Sequence, residues 1–145
     1  MNCNKKYYKM NNGRFAISVH ILTLLCKSEG DLLSSDYIAG SININPVLVR
    51  KEIANLKKAG FIQSKEGKNG GCYLAQAASD IRFSELFKRV YEENVLSHAK
   101  NEPNPNCPVG RDINVYLSSL YAEAEQALVD KLGEMDLQTF SKQFS

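Results

Sequence analysis

The chain has 145 residues, of which 43% are hydrophobic and 23% are charged, and its formal net charge is only +2. This length and apolar content provide for one domain with a hydrophobic core and exclude a second independent domain. No apolar run approaches the roughly 18–20 residues of a membrane span, and residues 1–9 are polar and basic, unlike a secretory signal. We therefore expect a soluble cytoplasmic protein that makes no contact with a membrane.

The cysteines and histidines do not stand at the spacing of a metal site. The four cysteines, which include no CxxC pair, are Cys3, Cys26, Cys72 and Cys107. In a cytoplasmic chain of this size, scattered cysteines are typical of reduced thiols rather than of a disulfide framework. The two histidines, His20 and His98, have no partner at ligand spacing either. We predict no metal site, no cofactor and no catalytic residues.

The first predicted element is a helix that follows a polar N-terminal segment. Residues 1–13 show no apolar period and predict a flexible extension. From Arg14 to Lys27 apolar residues recur at helical spacing around most of the circumference. We therefore expect this helix at the centre of the core.

A short second helix is predicted to begin at a serine cap, either Ser34 or Ser35. It is expected to end near Ala39, because Gly40 interrupts it and allows a tight turn. Its inward residues are predicted to be Tyr37, Ile38 and Ile42.

The third helix is predicted over residues 46–59. Asn45 is its cap and Pro46 occupies the first helical position, where the missing N–H costs nothing. Val49, Ile53 and Leu56 form its inward stripe, and Gly60 follows as the helix-ending glycine.

A hairpin and two further helices complete the predicted architecture. Strands over 61–65 and 72–74 flank a glycine-rich turn. A helix then begins between Asp80 and Ser84, and a loop over 97–108 leads to a long helix from about Val109 to Leu132. At about 36 Å this helix is longer than so small a domain can cover, which favours pairing with a second copy over folding back.

These elements predict a mainly α fold with a small β-hairpin, namely a winged helix-turn-helix followed by a long C-terminal dimerisation helix. We divide the chain into a flexible N-terminal extension (1–13), a winged helix-turn-helix DNA-binding region (14–78) and a helix, loop and long dimerisation helix (79–145).

Charge is distributed unevenly along the chain. Residues 45–71 carry six basic and two acidic side chains, whereas residues 112–136 carry one basic and six acidic ones. A basic third helix and hairpin favour contact with a polyanion, although two solvated helix faces would show the same pattern.

In a winged helix-turn-helix the third helix enters the major groove of DNA. We expect Arg50 to bind guanine through two hydrogen bonds, Val47 to contact a thymine methyl group and the lysines of the hairpin to meet phosphates. The residues predicted to contact double-stranded DNA are Asn43, Asn45, Pro46, Val47, Arg50, Lys51, Lys65, Lys68, Asn69 and Gly70.

Three stretches resemble one known family: "GRFAISVHILTLL", "NPVLVRKEIANLKKAGFIQSKEGKNGGCYLA" and "NPNCPVG". They are similar to the Rrf-two (Rrf2) family of winged-helix regulators over roughly residues 14–132. The resemblance implies a homodimeric transcription regulator, usually a repressor, whose long C-terminal helix forms most of the dimer interface. The predicted interface residues are Ile113, Tyr116, Leu117, Leu120, Ala124, Ala127 and Leu128.

The sequence departs from this family in the loop before the long helix. Several members hold an iron–sulfur cluster there with three closely spaced cysteines, whereas this loop contains only Cys107. A cluster generally needs about four ligands, so we predict that this protein holds none.

The regulatory input is left open between three alternatives. Cys107 precedes a helix N-terminus, a position that favours a reactive thiol. It is therefore a candidate redox sensor, together with Cys26. The alternative is that both cysteines are packing residues. The other inputs are a small ligand bound beneath the long helix, or none at all. Two rival functions are a winged-helix module for protein assembly and a thiol enzyme that uses Cys107 with His98.

Overall fold

The computed structural model describes residues 12–92 and 95–145. Its helices and strands are α1 (Asn12–Lys27), α2 (Ser35–Ile42), α3 (Pro46–Lys58), β1 (Ile62–Lys65), β2 (Gly71–Leu74), α4 (Phe83–Val90), α5 (Pro108–Gly133) and α6 (Leu137–Ser141). The predicted class, mainly helical with one antiparallel hairpin, is confirmed. Within these residues no helix is both long enough and apolar enough to cross a bilayer.

Helix α1 lies at the centre of the core, as predicted. It packs against α2, α3, α4, α6 and β2, and its residues Ile21 and Leu22 are completely buried. The helix begins at Asn12, two residues before the predicted start. The rest of the predicted N-terminal extension, including Cys3, lies outside the described residues.

The predicted end of α2 at Ala39 is wrong. Ser34 caps the helix by accepting a hydrogen bond from the Tyr37 N–H at 3.1 Å, but the helix continues through Gly40 to Ile42. Asn43 ends it with a left-handed φ of 61°, a conformation that asparagine tolerates better than most residues. Tyr37 is also not inward: it is 60% exposed, whereas Ile38 is buried.

Helix α3 has the predicted start and the predicted inward face. The Asn45 side chain accepts a hydrogen bond from the Val47 N–H at 2.8 Å, which satisfies one of the free donors of the first turn. Val49, Ile53 and Leu56 are buried as expected. The helix ends at Lys58, just before Gly60, whose φ of 88° turns the chain towards β1.

The C-terminal helix α6 was not predicted. The Leu137 N–H donates to the Ile81 carbonyl at 2.9 Å, and the Leu137 side chain is completely buried. Asp136 caps α6, because its carboxylate accepts hydrogen bonds from the backbone N–H and the hydroxyl of Thr139. The backbone N–H of Thr139 holds the pKa of the Asp136 carboxyl below its usual range. Helix α6 thereby closes the core against α1.

Candidate nucleic-acid interface

The outward face of α3 begins with two exposed apolar side chains. Val47 is 63% exposed and Leu48 is 55% exposed, both in the first turn. Apolar side chains at this end of a groove-binding helix can contact thymine methyl groups. Sequence reasoning singled out Val47 but missed Leu48, although its place beside the cap and off the inward stripe was a usable signal.

Arg50 lies in the next turn of α3, and its guanidinium is held by residues of α2. It donates hydrogen bonds of 3.2 Å to the Ser35 hydroxyl and to the Asp36 carboxylate. Both members of the Arg50–Asp36 ion pair are largely exposed, so their mutual attraction is weak and the guanidinium is readily released. The neighbouring Lys51 is exposed on the same side of the helix.

A buried carboxylate fixes the inner side of α3. Glu52 accepts hydrogen bonds from the Ser18 hydroxyl at 2.9 Å and from Arg14 Nε at 3.2 Å. Arg14 Nη1 also donates to the Val90 carbonyl at 3.3 Å, at the end of α4. A buried charge is tolerated only when it is paired in this way. The network therefore ties α3 to both α1 and α4, and sequence reasoning did not detect it.

The N-terminal end of α3 is occupied by its own capping group. The Asn45 side-chain oxygen is bound to the Val47 N–H, while Asn43 is exposed in the preceding turn. A helix N-terminus with free N–H groups favours a phosphate, and the exposed asparagines flank that position. Asn43, Asn45 and Pro46 thus lie together at the start of α3.

Strands β1 and β2 form the wing. They are antiparallel, with Ile62 opposite Leu74 and Lys65 opposite Gly71. The turn between them uses left-handed backbone at Gly67 (φ 98°) and Asn69 (φ 66°), and it leaves Lys65 and Lys68 exposed at the tip. The tip therefore offers two exposed cations to a sugar–phosphate backbone.

The wing is attached to the loop that follows α1. The Leu33 N–H donates to the Cys72 carbonyl at 3.1 Å, and the Cys72 N–H donates to the Leu33 carbonyl at 2.8 Å. Gly71 passes so close to this loop that an added Cβ would lie 2.7 Å from the Leu33 carbonyl oxygen. Only glycine can occupy this position without displacing the wing.

Replacing Gly71 by alanine is expected to lower the free energy of unfolding by about 2 kcal/mol, because the added methyl group overlaps backbone atoms that cannot move independently. Urea unfolding followed by circular dichroism measures this change. Gly40→Ala is the matched control: its Cβ would meet no atom within 4 Å, and alanine favours the interior of α2, so stability should rise slightly. Equal stability of the two variants would contradict the close approach.

The loop before α5 is held against that helix. The Leu96 N–H donates to the Glu125 carboxylate at 2.8 Å. The His98 ring lies 3.1 Å from the Asn114 carbonyl and packs against the Tyr121 ring. This segment is therefore positioned by α5 rather than by the winged domain.

The predicted redox residues, Cys26 and Cys107, are both free thiols in the structure. Cys107 is exposed at the residue before α5, and Cys26 is half-buried in the last turn of α1. Burial raises the pKa of the third described thiol, Cys72, with a smaller opposing effect of Lys57. A raised pKa disfavours the reactive thiolate, so Cys72 is the least suited of the three to redox chemistry.

The described residues do not supply the ligands of an iron–sulfur cluster. Within 12–92 and 95–145, no three histidine, cysteine, aspartate or glutamate side chains are grouped so that they could hold a metal ion. The loop before α5 contributes Cys107 alone. The absence of a cluster remains a prediction.

Among residues 12–92 and 95–145, no side chain covers a broad apolar face of the long helix α5. None of its residues is buried, although it packs against α4 on one side. Tyr116 is 71% exposed and Leu120 is 57% exposed, and Val109 and Leu128 are exposed on the same side. With Ala124 and Ala127 these residues form one stripe along the helix, which we call the α5 face. Ile113 and Leu117, also in the predicted interface, are half-buried.

A family model described as "Rrf2: Iron-dependent Transcriptional regulator" matches residues 11–143. The chain is 36% identical over 128 residues to YwnA of Bacillus subtilis (strain 168), named as a candidate HTH-type transcriptional regulator; the match covers 88% of this chain and 94% of YwnA. It is also 33% identical over 100 residues to protein rrf2 of Nitratidesulfovibrio vulgaris, covering 69% of this chain and 65% of that protein.

Two solved structures have the same fold. The crystal structure of a candidate DNA-binding protein superposes with a TM-score of 0.68 at 32% identity, covering 86% of this chain and 96% of the other. CymR, the global cysteine regulator of Bacillus subtilis, superposes with a TM-score of 0.69 over 91% of this chain and 95% of CymR. At 16% identity, the likeness to CymR concerns the fold alone.

Proposed function

The chain belongs to the Rrf2 family of transcriptional regulators, and we propose that it acts as a repressor that binds a palindromic operator as a homodimer. As a DNA-binding regulator it is not an enzyme. Access to DNA places it in the cytoplasm under this proposal.

The observation that carries the proposal is the α5 face. An apolar stripe with Tyr116 and Leu120 more than half exposed is costly in water and is typical of a surface that a partner covers. A second copy offers the same stripe, and two such helices can pair across a two-fold axis. The residues we assign to this interface are Ile113, Tyr116, Leu117, Leu120, Ala124, Ala127 and Leu128.

A two-fold axis through the α5 pair would relate two α3 helices, each facing one half-site. We assign base contacts to Val47, Leu48 and Arg50 and phosphate contacts to Lys51 and the residues at the start of α3. At the wing, Lys65 and Lys68 meet phosphates beside Asn69 and Gly70. The exposed lysines argue against a module used only for protein assembly, because protein interfaces are depleted in lysine.

A mobility-shift titration of the full chain on its own upstream DNA tests the proposal. We expect a specific complex that survives excess unrelated duplex and weakens steeply with salt, because phosphate contacts release counterions. A symmetric operator should be bound by two chains, and transcription from it should fall. Binding that is no stronger than to unrelated DNA would contradict the proposal and favour the assembly module.

The same titration separates the candidate inputs. The thiol switch is supported if mild oxidation dissociates the complex and dithiothreitol restores it. In Cys107→Ser the complex should then survive oxidation. A complex that is indifferent to oxidation would leave two alternatives, a small-molecule effector or constitutive repression without an input.

A further inference from the structure

A cavity of about 780 Å³ lies between α1, the last turn of α2 and α6. Its size is within the range of roughly 300–1,000 Å³ that small-molecule sites occupy. The walls are mainly apolar, with Val19 and Leu24 from α1 and Leu132 from the end of α5. This cavity is distinct from the outward face of α3, the wing and the α5 face.

One wall of the cavity is a continuous series of four phenyl rings. The ring centroids of Phe15 and Phe83 are 6.2 Å apart, those of Phe83 and Phe140 are 5.0 Å apart, and those of Phe140 and Phe144 are 5.5 Å apart. Edge-to-face and tilted packing of this kind extends readily to one more aromatic ring. The wall therefore favours a flat aromatic ligand over a flexible alkyl chain.

The rim of the cavity carries one cation. Lys27 Nζ donates to the Phe144 carbonyl at 2.9 Å, and among the described residues no carboxylate forms an ion pair with it. His20 and Ser41, which are 3.0 Å apart, add polar atoms to the same cavity. A cation held next to an apolar cavity is complementary to an anionic group on an apolar ligand.

We propose that this cavity binds a small aromatic organic anion. Its ring packs against the phenyl wall, and its carboxylate or sulfonate pairs with Lys27, with the His20–Ser41 pair beside it. The cavity joins α1 and α2 of the DNA-binding region to the end of α5, so an occupant bridges the two parts of the molecule. An effect of this ligand on operator binding rests on the proposed function; the binding itself does not.

Two naphthalene dyes test the site on the full chain. The probes are anionic anilinonaphthalene sulfonate and neutral N-phenylnaphthylamine, titrated by fluorescence. Lys27→Gln is expected to weaken the sulfonate dye about three- to five-fold, the value of an exposed ion pair, and to leave the neutral dye unchanged. Ala16→Trp places an indole in the cavity and should weaken both dyes by about ten-fold or more.

Lys58→Gln, which removes an exposed lysine far along α3, is the matched control and should behave as wild type. The proposal fails if Ala16→Trp leaves both titrations unchanged, because the dyes then bind elsewhere. It fails equally if Lys27→Gln weakens both dyes alike or neither. If Ala16→Trp dissociates the protein in sedimentation, the cavity is a contact with a second copy. Specific operator binding by wild type in any of these cases would leave the proposed function standing.

Discussion

Replacing Leu120 by aspartate is expected to convert the protein from a dimer to a monomer and to weaken operator binding by about 100-fold or more. Leu120 lies in the middle of the α5 face and is 57% exposed in the single chain. Burying an unpaired carboxylate in an apolar interface is strongly unfavourable, so the pair of helices cannot form around it. The monomer keeps one α3 helix and therefore loses the advantage of binding two half-sites at once.

Sedimentation velocity measures the dimer, and fluorescence anisotropy on a symmetric operator measures the affinity. Ser119→Asp is the matched control, because it adds the same charge to the preceding residue of α5, on the exposed polar side. Leu120→Asp should remain folded by circular dichroism, since Leu120 is 57% exposed within its own chain. If the Leu120→Asp protein stays dimeric, the α5 face is not the dimer interface.

Replacing Arg50 by alanine is expected to weaken operator binding by about 10- to 100-fold while changing the affinity for unrelated duplex little. The guanidinium can leave its exposed contacts with Ser35 and Asp36 and bind a guanine edge through two hydrogen bonds. Arg50→Lys should restore only part of the affinity, because an ammonium group cannot make both bonds in one plane. Competition titrations with operator and unrelated duplex give the two affinities.

Asp36→Asn separates this role from a structural one. It removes the ion-pair partner of Arg50, should change stability by less than about 1 kcal/mol, and should leave operator binding equal or stronger. If Arg50→Ala weakens both duplexes by the same factor, Arg50 contacts a phosphate instead of a base. If it weakens neither, Arg50 serves only to hold α2 against α3.

The local signals in the sequence predicted most of the fold. Asn45 and Pro46 correctly predicted the start of α3, and the apolar stripe of α1 predicted that this helix lies at the centre of the core. The end of α2 was predicted too early because of Gly40. One glycine in a helix lowers stability by only about 1 kcal/mol, and the packing of Ile38 outweighs that loss. Tyr37 was assigned inward by periodicity in a helix of 8 residues, where a stripe is too short to define a face.

The candidate site was predicted less completely, because its missing parts depend on residues far apart in the chain. The Arg14–Glu52 pair spans 38 positions, and the Arg50–Asp36 pair joins two helices. Neither ion pair produces a periodic pattern in the sequence from which it could be predicted. Helix α6 has only 5 residues and exists because Leu137 fills a gap in the core, which is a tertiary cause that propensity does not report.

The Arg14 guanidinium links the position of α3 to the position of α4, which matters for an operator that is bound by two α3 helices. It binds Glu52 of α3 and the Val90 carbonyl at the end of α4. Because α4 also packs directly against α5, a small rotation of α4 is passed to α3 through the Arg14 guanidinium. In the proposed dimer the distance between the two α3 helices would therefore depend on how α4 packs against α5.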